Sequence, residues 1–121
     1  MYDHVSLKVK SFAKSRRFYE SALKPLGYTL QSADESSAGF GSGETTSLWI
    51  TAGTPISESV HIAFAAPSRA AVAAFHVGAL EAGGRDNGKP GLRENYSPTY
   101  YAAFAYDPDG NNIEAVCHSK K

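Results

Sequence analysis

The sequence repeats itself at a fixed offset of 57 residues, and each copy of the repeat carries a histidine, His4 or His61. Self-similarity at a fixed period indicates that one supersecondary unit has been built more than once. Here the unit reads as a strand, a helix-capping serine, a helix and a glycine stop. We expect two such units to pack as pseudo-symmetric halves, with both histidines facing a shared site. The same offset relates Val5 to Ile62, Leu7 to Phe64, Ser11 to Ser68, Phe18 to Phe75, Ala22 to Ala79, Leu23 to Leu80 and Gly27 to Gly84.

The length of 121 residues allows one domain with one core. We expect a single domain over residues 1–121, with modules at about 1–53 and 56–121.

The chain has no excess of either charge, since twelve basic and twelve acidic side chains cancel. The composition therefore does not favour nucleic acid or an anionic membrane as a partner. No apolar stretch approaches the roughly 20 residues that a bilayer-spanning helix needs. The start of the chain lacks a signal-peptide pattern, and the single cysteine, Cys117, has no disulfide partner. Both features favour a cytoplasmic location.

The hydrophobic pattern predicts an α+β fold of two βαβββ modules that form a curved mixed sheet. In Tyr2–Val9, apolar and polar residues alternate, which is typical of a strand with one buried face. Ser11 and Ser68 are expected to cap two helices that end at about Leu23 and Ala82. The other predicted strands are Tyr28–Ala33, Ala38–Ser42, Thr46–Ala52, Ser59–Ala65, Tyr100–Tyr106 and Asn112–Cys117.

Strand alternation places three possible metal ligands on one face of this sheet. If Val5 and Leu7 face the helices, His4 points to the opposite side, and the same argument applies to His61. Glu114 joins them if its apolar neighbours in the last strand face the helices. Two imidazoles and one carboxylate form a ligand set suited to Fe(II) and tolerant of Mn, Ni, Co or Zn. Each residue taken singly is more typical of a structural role, but the combination predicts a site for one divalent ion.

The segments around these residues resemble those of the vicinal oxygen chelate superfamily. This superfamily includes glyoxalase I, extradiol dioxygenases, fosfomycin-resistance enzymes and bleomycin-resistance proteins. The resemblance covers essentially the whole chain and rests on Asp3–Val5, Val60–Ile62 and Asp107–Glu114. It implies paired βαβββ modules around a U-shaped cavity, and a divalent metal held by the two histidines and Glu114. It also implies a small-molecule substrate whose oxygens chelate the metal, and a homodimer that completes or shields the cavity.

Two departures from the superfamily's patterns narrow the predicted function. Glyoxalase I-like members take a further carboxylate from the fourth strand, where the cavity-facing residues here are Ser47, Trp49 and Thr51. Extradiol dioxygenases carry a tyrosine where this chain has Phe104. The rings of Trp49 and Phe104 are instead expected to line the substrate cavity. The sequence thus predicts a metal-dependent glyoxalase-like enzyme, a lyase, isomerase or transferase acting on a small oxygen-chelating metabolite. A metal-free binding protein of the bleomycin-resistance type and an atypical dioxygenase are the alternatives.

Further substrate-side residues are expected in a glycine-rich loop predicted over residues 85–95. The tyrosine-rich segment Lys89–Tyr101 precedes the strand beside the proposed metal strand, and we expect it to act as a lid. Arg93 offers a planar fork to an anionic substrate group. Tyr100 or Tyr101 offers a hydrogen bond to a substrate oxygen at the metal. The alternative is structural, with the arginine paired to a local carboxylate and the tyrosine rings buried.

Overall fold

A computed structural model describes residues 2–55 and 59–121 of the chain. The described residues form two modules of the same order, each with one α-helix and one four-stranded sheet, so the expected α+β fold is confirmed. The module boundary expected at residue 56 lies outside the described residues. The first module contains β1 (Val5–Val9), α1 (Phe12–Leu23), β2 (Thr29–Ala33), β3 (Ser37–Ser42) and β4 (Thr45–Ala52). The second contains β5 (His61–Ala65), α2 (Arg69–Glu81), β6 (Arg85–Leu92), β7 (Tyr101–Tyr106) and β8 (Asn112–Cys117).

Both helices begin where the sequence predicts. The hydroxyls of Ser11 and Ser68 each accept a hydrogen bond from the backbone N–H three residues further on. A short 3-10 turn over Lys24–Leu26 follows α1, and Gly27 ends it with a φ of 92°. This left-handed conformation is one that glycine adopts without steric cost. Within residues 2–55 and 59–121, no helix has the length and apolar content needed to cross a membrane.

The two sheets have equivalent strand orders, β1-β4-β3-β2 and β5-β8-β7-β6. In each sheet the first strand runs parallel to the last, and the remaining neighbours are antiparallel. One hydrophobic core, which includes both helices, joins the two modules. Leu7 in β1 and Ile113, Ala115 and Cys117 in β8 are buried in that core. Since neighbours along a strand alternate sides, the other face of each sheet is left for a functional site.

The stretch predicted as a loop over residues 85–95 is largely a strand, and this prediction was wrong for residues 85–92. β6 pairs with β7, with register shifts between Asp86 and Gly88 and between Gly88 and Gly91. The glycines and Pro90 therefore mark irregularities of an edge strand, where such residues are tolerated. Residues 93–100 alone form the connecting turn, so the segment expected to act as a lid is shorter than predicted.

A buried carboxylate ties the start of β8 to α1. Asp107 is 3% exposed, and its Oδ1 accepts hydrogen bonds from the backbone N–H groups of Asp109 and Asn111. Its Oδ2 accepts from the Tyr19 hydroxyl at 2.6 Å and from the Asn111 side-chain amide at 2.8 Å. Burial, together with the Asp107 charge, raises the pKa of Tyr19 well above its ordinary value, which keeps the hydroxyl a donor. This network fixes the strand that carries Glu114.

Candidate functional site

His61 and Glu114 lie together on the sheet face that points away from the helices. In the parallel pairing of β5 with β8, Ala63 is opposite Glu114 and His61 is opposite Asn112. His61 Nε2 is 3.0 Å from Glu114 Oε1. The glutamate side chain is 2% exposed and the histidine 50% exposed, so the pair opens to solvent on the imidazole side. The structure therefore brings together two of the three predicted metal ligands.

The remaining polar atoms of this pair are held by neighbours. His61 Nδ1 is 3.1 Å from the backbone oxygen of Asn112. Because a carbonyl oxygen only accepts, Nδ1 donates to it, and this contact orients the ring with Nε2 toward Glu114. Glu114 Oε2 accepts a hydrogen bond from the Tyr100 hydroxyl. An imidazole oriented through Nδ1–H and a hydrogen-bonded carboxylate are typical of metal ligands, so His61 and Glu114 are residues that would hold a divalent cation.

Of the two candidate tyrosines, Tyr100 reaches this pair and Tyr101 does not. Burial, then the hydrogen bond and charge of Glu114, raise the pKa of Tyr100 to about 12, so its hydroxyl is a donor at neutral pH. The ring of Tyr101 instead lies under the Arg69 guanidinium, 5.0 Å from the ring centroid, and packs against the core on the helix side.

Two residues that were not among the predicted site residues, Tyr96 and His118, also border Tyr100. The Tyr96 ring centroid is 4.9 Å from that of Tyr100. His118 meets the Tyr100 ring edge-on at 5.3 Å. Strand parity with Glu114 is the sequence signal that points to His118. The position of Tyr96 depends on the turn formed by residues 93–100, which strand parity does not predict.

Phe104 and Arg93 continue the site across the sheet toward β6. Phe104 is opposite Glu114 in the pairing of β7 with β8. Its ring centroid is 6.3 Å from that of His61, with 21° between the ring planes. The Arg93 guanidinium carbon lies 5.4 Å from the Phe104 centroid. An apolar ring therefore stands between a carboxylate–imidazole pair and a cation.

The first module presents an imidazole and an indole on its corresponding face. The His4 side chain is 54% exposed, and its Nδ1 is 2.8 Å from Asp3 Oδ1. Trp49 is opposite Ser6 in the pairing of β4 with β1. Since the 57-residue offset relates Ser6 to Ala63, Trp49 occupies in this module the position that Glu114 occupies in the second. Its ring covers Gly39, where an added Cβ would come within 2.8 Å of the indole.

His4 does not join the His61–Glu114 pair within one chain. Across residues 2–55 and 59–121, no three His, Cys, Asp or Glu side chains are grouped so as to hold a metal ion. The two modules thus carry two separate half-sites. One half-site has His4 and Trp49, and the other has the pair with Tyr100. The three-ligand set stays a prediction.

Comparison with known families decides the classification. The family model of the Glyoxalase/Bleomycin resistance protein/Dioxygenase superfamily matches residues 2–115. The chain belongs to this superfamily. The resemblance noted in the sequence, to the vicinal oxygen chelate superfamily, is thereby confirmed. A search of curated proteins gave no match.

Solved structures of other superfamily members share the fold. A glyoxalase/bleomycin resistance protein from Albidiferax ferrireducens T118 is 30% identical, with 97% of this chain and 98% of that chain covered and a TM-score of 0.85. A glyoxalase-related enzyme from Fulvimarina pelagi is 16% identical, with coverage of 97% and 87% and a TM-score of 0.73. Fosfomycin resistance protein FosX from Mesorhizobium loti is 19% identical, with coverage of 99% and 93% and a TM-score of 0.71. The last two likenesses concern the fold alone.

Proposed function

We propose that this superfamily member is a metal-dependent, glyoxalase-like enzyme that acts on a small metabolite with chelating oxygens. The observation that supports the proposal is the convergence of His61 Nε2 and Glu114 Oε1 at 3.0 Å. Asn112 and Tyr100 occupy the other polar atoms of the pair, which leaves these two atoms as the free ligands. When bound, a divalent ion supplies Lewis-acid polarisation of substrate oxygens. The proposed reaction type is that of a lyase, isomerase or transferase, and the proposed location is cytoplasmic.

The surrounding side chains orient the ligands and shape the space beside them. Tyr100 holds the Glu114 carboxylate in one orientation, because its hydroxyl stays protonated and donates to Oε2. Phe104 covers the sheet next to the pair and supplies an apolar wall that excludes water from one side. The phenyl ring has no group to donate a proton, so acid catalysis from this position, as in extradiol dioxygenases, does not apply here.

The third ligand in this proposal is His4 of a second copy, which makes the active species a homodimer. His4 is exposed and apart from the pair in its own chain. Tyr2 is 83% exposed and Val5 38% exposed, so apolar surface flanks the histidine on both sides. Exposed apolar surface of this kind is what a symmetric interface buries. Trp49 of the same module would then form a second aromatic wall of the cavity.

Elemental analysis of protein purified without chelator or a nickel column tests the proposal. We expect about one divalent ion per complete site in the unaltered protein. Glu114→Ala and the shape-preserving Glu114→Gln should both lose the ion. Glu94→Ala, which removes an exposed glutamate from the turn before β7, is the matched control and should keep the ion.

The identity of the bound metal distinguishes the reaction types. Zinc, nickel, cobalt or manganese would fit the proposed reaction type, whereas iron would favour the dioxygenase alternative. Equal metal content in the Glu114 variants would contradict the proposed site.

A metal-free binding protein is the second candidate, and one observation favours it. Trp49 stands over the bare backbone of Gly39, where an added Cβ would lie 2.8 Å from the indole, and offers a ring on which an aromatic compound can stack. This candidate predicts no bound metal even after each ion is added back. It also predicts that an aromatic compound quenches Trp49 fluorescence in the metal-free protein, and that Glu114→Gln leaves this quenching intact.

A further inference from the structure

Arg93 carries a charge that no acidic group of the described chain neutralises. Its Nη1 donates to the backbone oxygen of Gly91 at 2.9 Å, and its Nη2 to that of Lys89 at 2.7 Å. Both acceptors are neutral, and none of the ion pairs among residues 2–55 and 59–121 includes this side chain. A guanidinium has five N–H donors, so the two carbonyls leave the others available. The structural role expected as the alternative, pairing with a local carboxylate, is not what the structure shows.

Two glycines create the space that this guanidinium fills. A Cβ at Gly88 would lie 3.2 Å from Arg93 Nη2 and 2.8 Å from Phe104 Cδ1. A Cβ at Gly91 would lie 3.2 Å from Nη1. The side chain therefore rests against the bare backbone of β6, with the Phe104 ring beside it. Because it is already held in place, little rotamer entropy is lost when a ligand binds.

Phe104 connects the Arg93 guanidinium to the proposed metal ligands His61 and Glu114. Phe104 lies in β7, between β6 with its bound guanidinium and β8 with Glu114. The same ring is nearly parallel to that of His61. Arg93 and His61 thus neighbour the same ring, so a ligand beside Phe104 would reach the guanidinium at one end and the His61–Glu114 pair at the other.

We propose that Arg93 is the oxyanion-binding residue of this site, and that the substrate carries a carboxylate, phosphonate or phosphate in addition to its chelating oxygens. The identity of the ligand as a substrate rests on the proposed function, but the anion site itself does not. The planar fork of a guanidinium matches two oxygens of such a group, which a single ammonium does not.

The test is an anion titration of the chelator-treated, metal-free protein, followed by calorimetry and by NMR of the arginine Nε–H signals. The probes are acetate, inorganic phosphate and methylphosphonate, with chloride as the control for charge alone. We expect the probe that binds the unaltered protein most tightly to bind Arg93→Gln with an affinity lower by about tenfold or more. Arg93→Lys should recover only part of the affinity. A preference for acetate would indicate a carboxylate substrate, and a preference for the phosphorus oxyanions a phosphonate or phosphate.

Arg85→Gln is the matched control, since Arg85 lies at the start of β6, the strand that leads into Arg93, and its guanidinium stacks on Tyr106 at 5.1 Å. It should bind the probes as the unaltered protein does. Oxyanion binding that is equally strong in Arg93→Gln, or absent from the unaltered protein, would overturn the inference. The Arg93 variants should also keep the bound metal in elemental analysis. If Glu114→Gln loses the metal but still binds the oxyanions, the metal site and the anion site are separate. If the unaltered protein binds oxyanions but never binds metal, the proposed function is contradicted and the anion site is not.

Discussion

Tyr100 is the residue that sets the orientation of the buried Glu114 carboxylate. Its hydroxyl donates to Oε2, while Oε1 faces His61. Tyr100→Phe removes this donor and leaves the carboxylate free to turn. We expect the metal affinity to fall about tenfold to a hundredfold rather than vanish, as is usual for a group that supports a ligand. Competition with a chromophoric chelator measures this directly. Tyr101→Phe, on the helix side of the sheet, should leave the affinity unchanged, and equal loss in both variants would contradict the positioning role.

The sequence predicted part of this arrangement. Strand alternation predicted the face on which Glu114 lies, because its apolar neighbours in β8 are buried in the core. It did not show that the Tyr100 hydroxyl meets Glu114, because that contact depends on the turn of residues 93–100. In that turn the backbone N–H of Arg93 donates to the backbone oxygen of Tyr100 at 2.7 Å. Hydrophobic periodicity does not predict a local hydrogen bond of this kind.

At the scale of elements, the turn between β2 and β3 depends on one charged side chain. Asp34 Oδ1 accepts hydrogen bonds from the backbone N–H groups of Ser36 and Ser37, both at 2.9 Å. These bonds lower the pKa of Asp34 below its ordinary value of 3.8. A lowered carboxyl pKa adds stability above the ordinary value, and this stability is lost as the pH falls through the lowered one. Asp34→Asn, which keeps Oδ1 but not the charge, should therefore be less stable at about pH 7, with the difference shrinking toward about pH 2.

Urea unfolding at both pH values measures this difference in the free energy of unfolding. Glu35→Gln, one position along the same turn, is the control and should show no comparable pH dependence. A difference between Asp34→Asn and the unaltered protein that grows on acidification would contradict the assignment, since the charged form would then not be the one that the turn stabilises.

The elements themselves were predictable where the pattern was regular, and β6 shows where it was not. Serine caps and glycine stops located both helices, because their chemistry is local. β6 carries Gly88, Pro90 and Gly91, so its composition is that of a loop. Its strand conformation is set by pairing with β7, with shifts in register at each irregular position. Long-range pairing of this kind is not visible in a single irregular segment.

At the scale of the whole molecule, the 57-residue repeat predicted two modules but not how their half-sites combine. The offset relates Ser6 to Ala63, and so places Trp49 and Glu114 at corresponding positions. Internal symmetry does not specify whether the His4 half-site meets its counterpart within one chain or between two. In the described chain, His4 and the His61–Glu114 pair form no common cluster. The proposed homodimer would bring all three proposed ligands together in a site shared between two copies.

Mixing two inactive variants tests this arrangement. His4→Ala and His61→Ala should each lose metal as homodimers, because every shared site then lacks one ligand. In a mixed dimer, one site lacks both histidines, but the other receives His4 from the His61→Ala copy and His61 from the His4→Ala copy. After unfolding and refolding of an equal mixture, roughly a quarter of the sites should bind metal. A mixture of His61→Ala with Glu114→Ala is the control and should regain none, since both losses fall in the same half-site. Metal retained by His4→Ala alone, or a mixture that regains none, would contradict a site shared between copies.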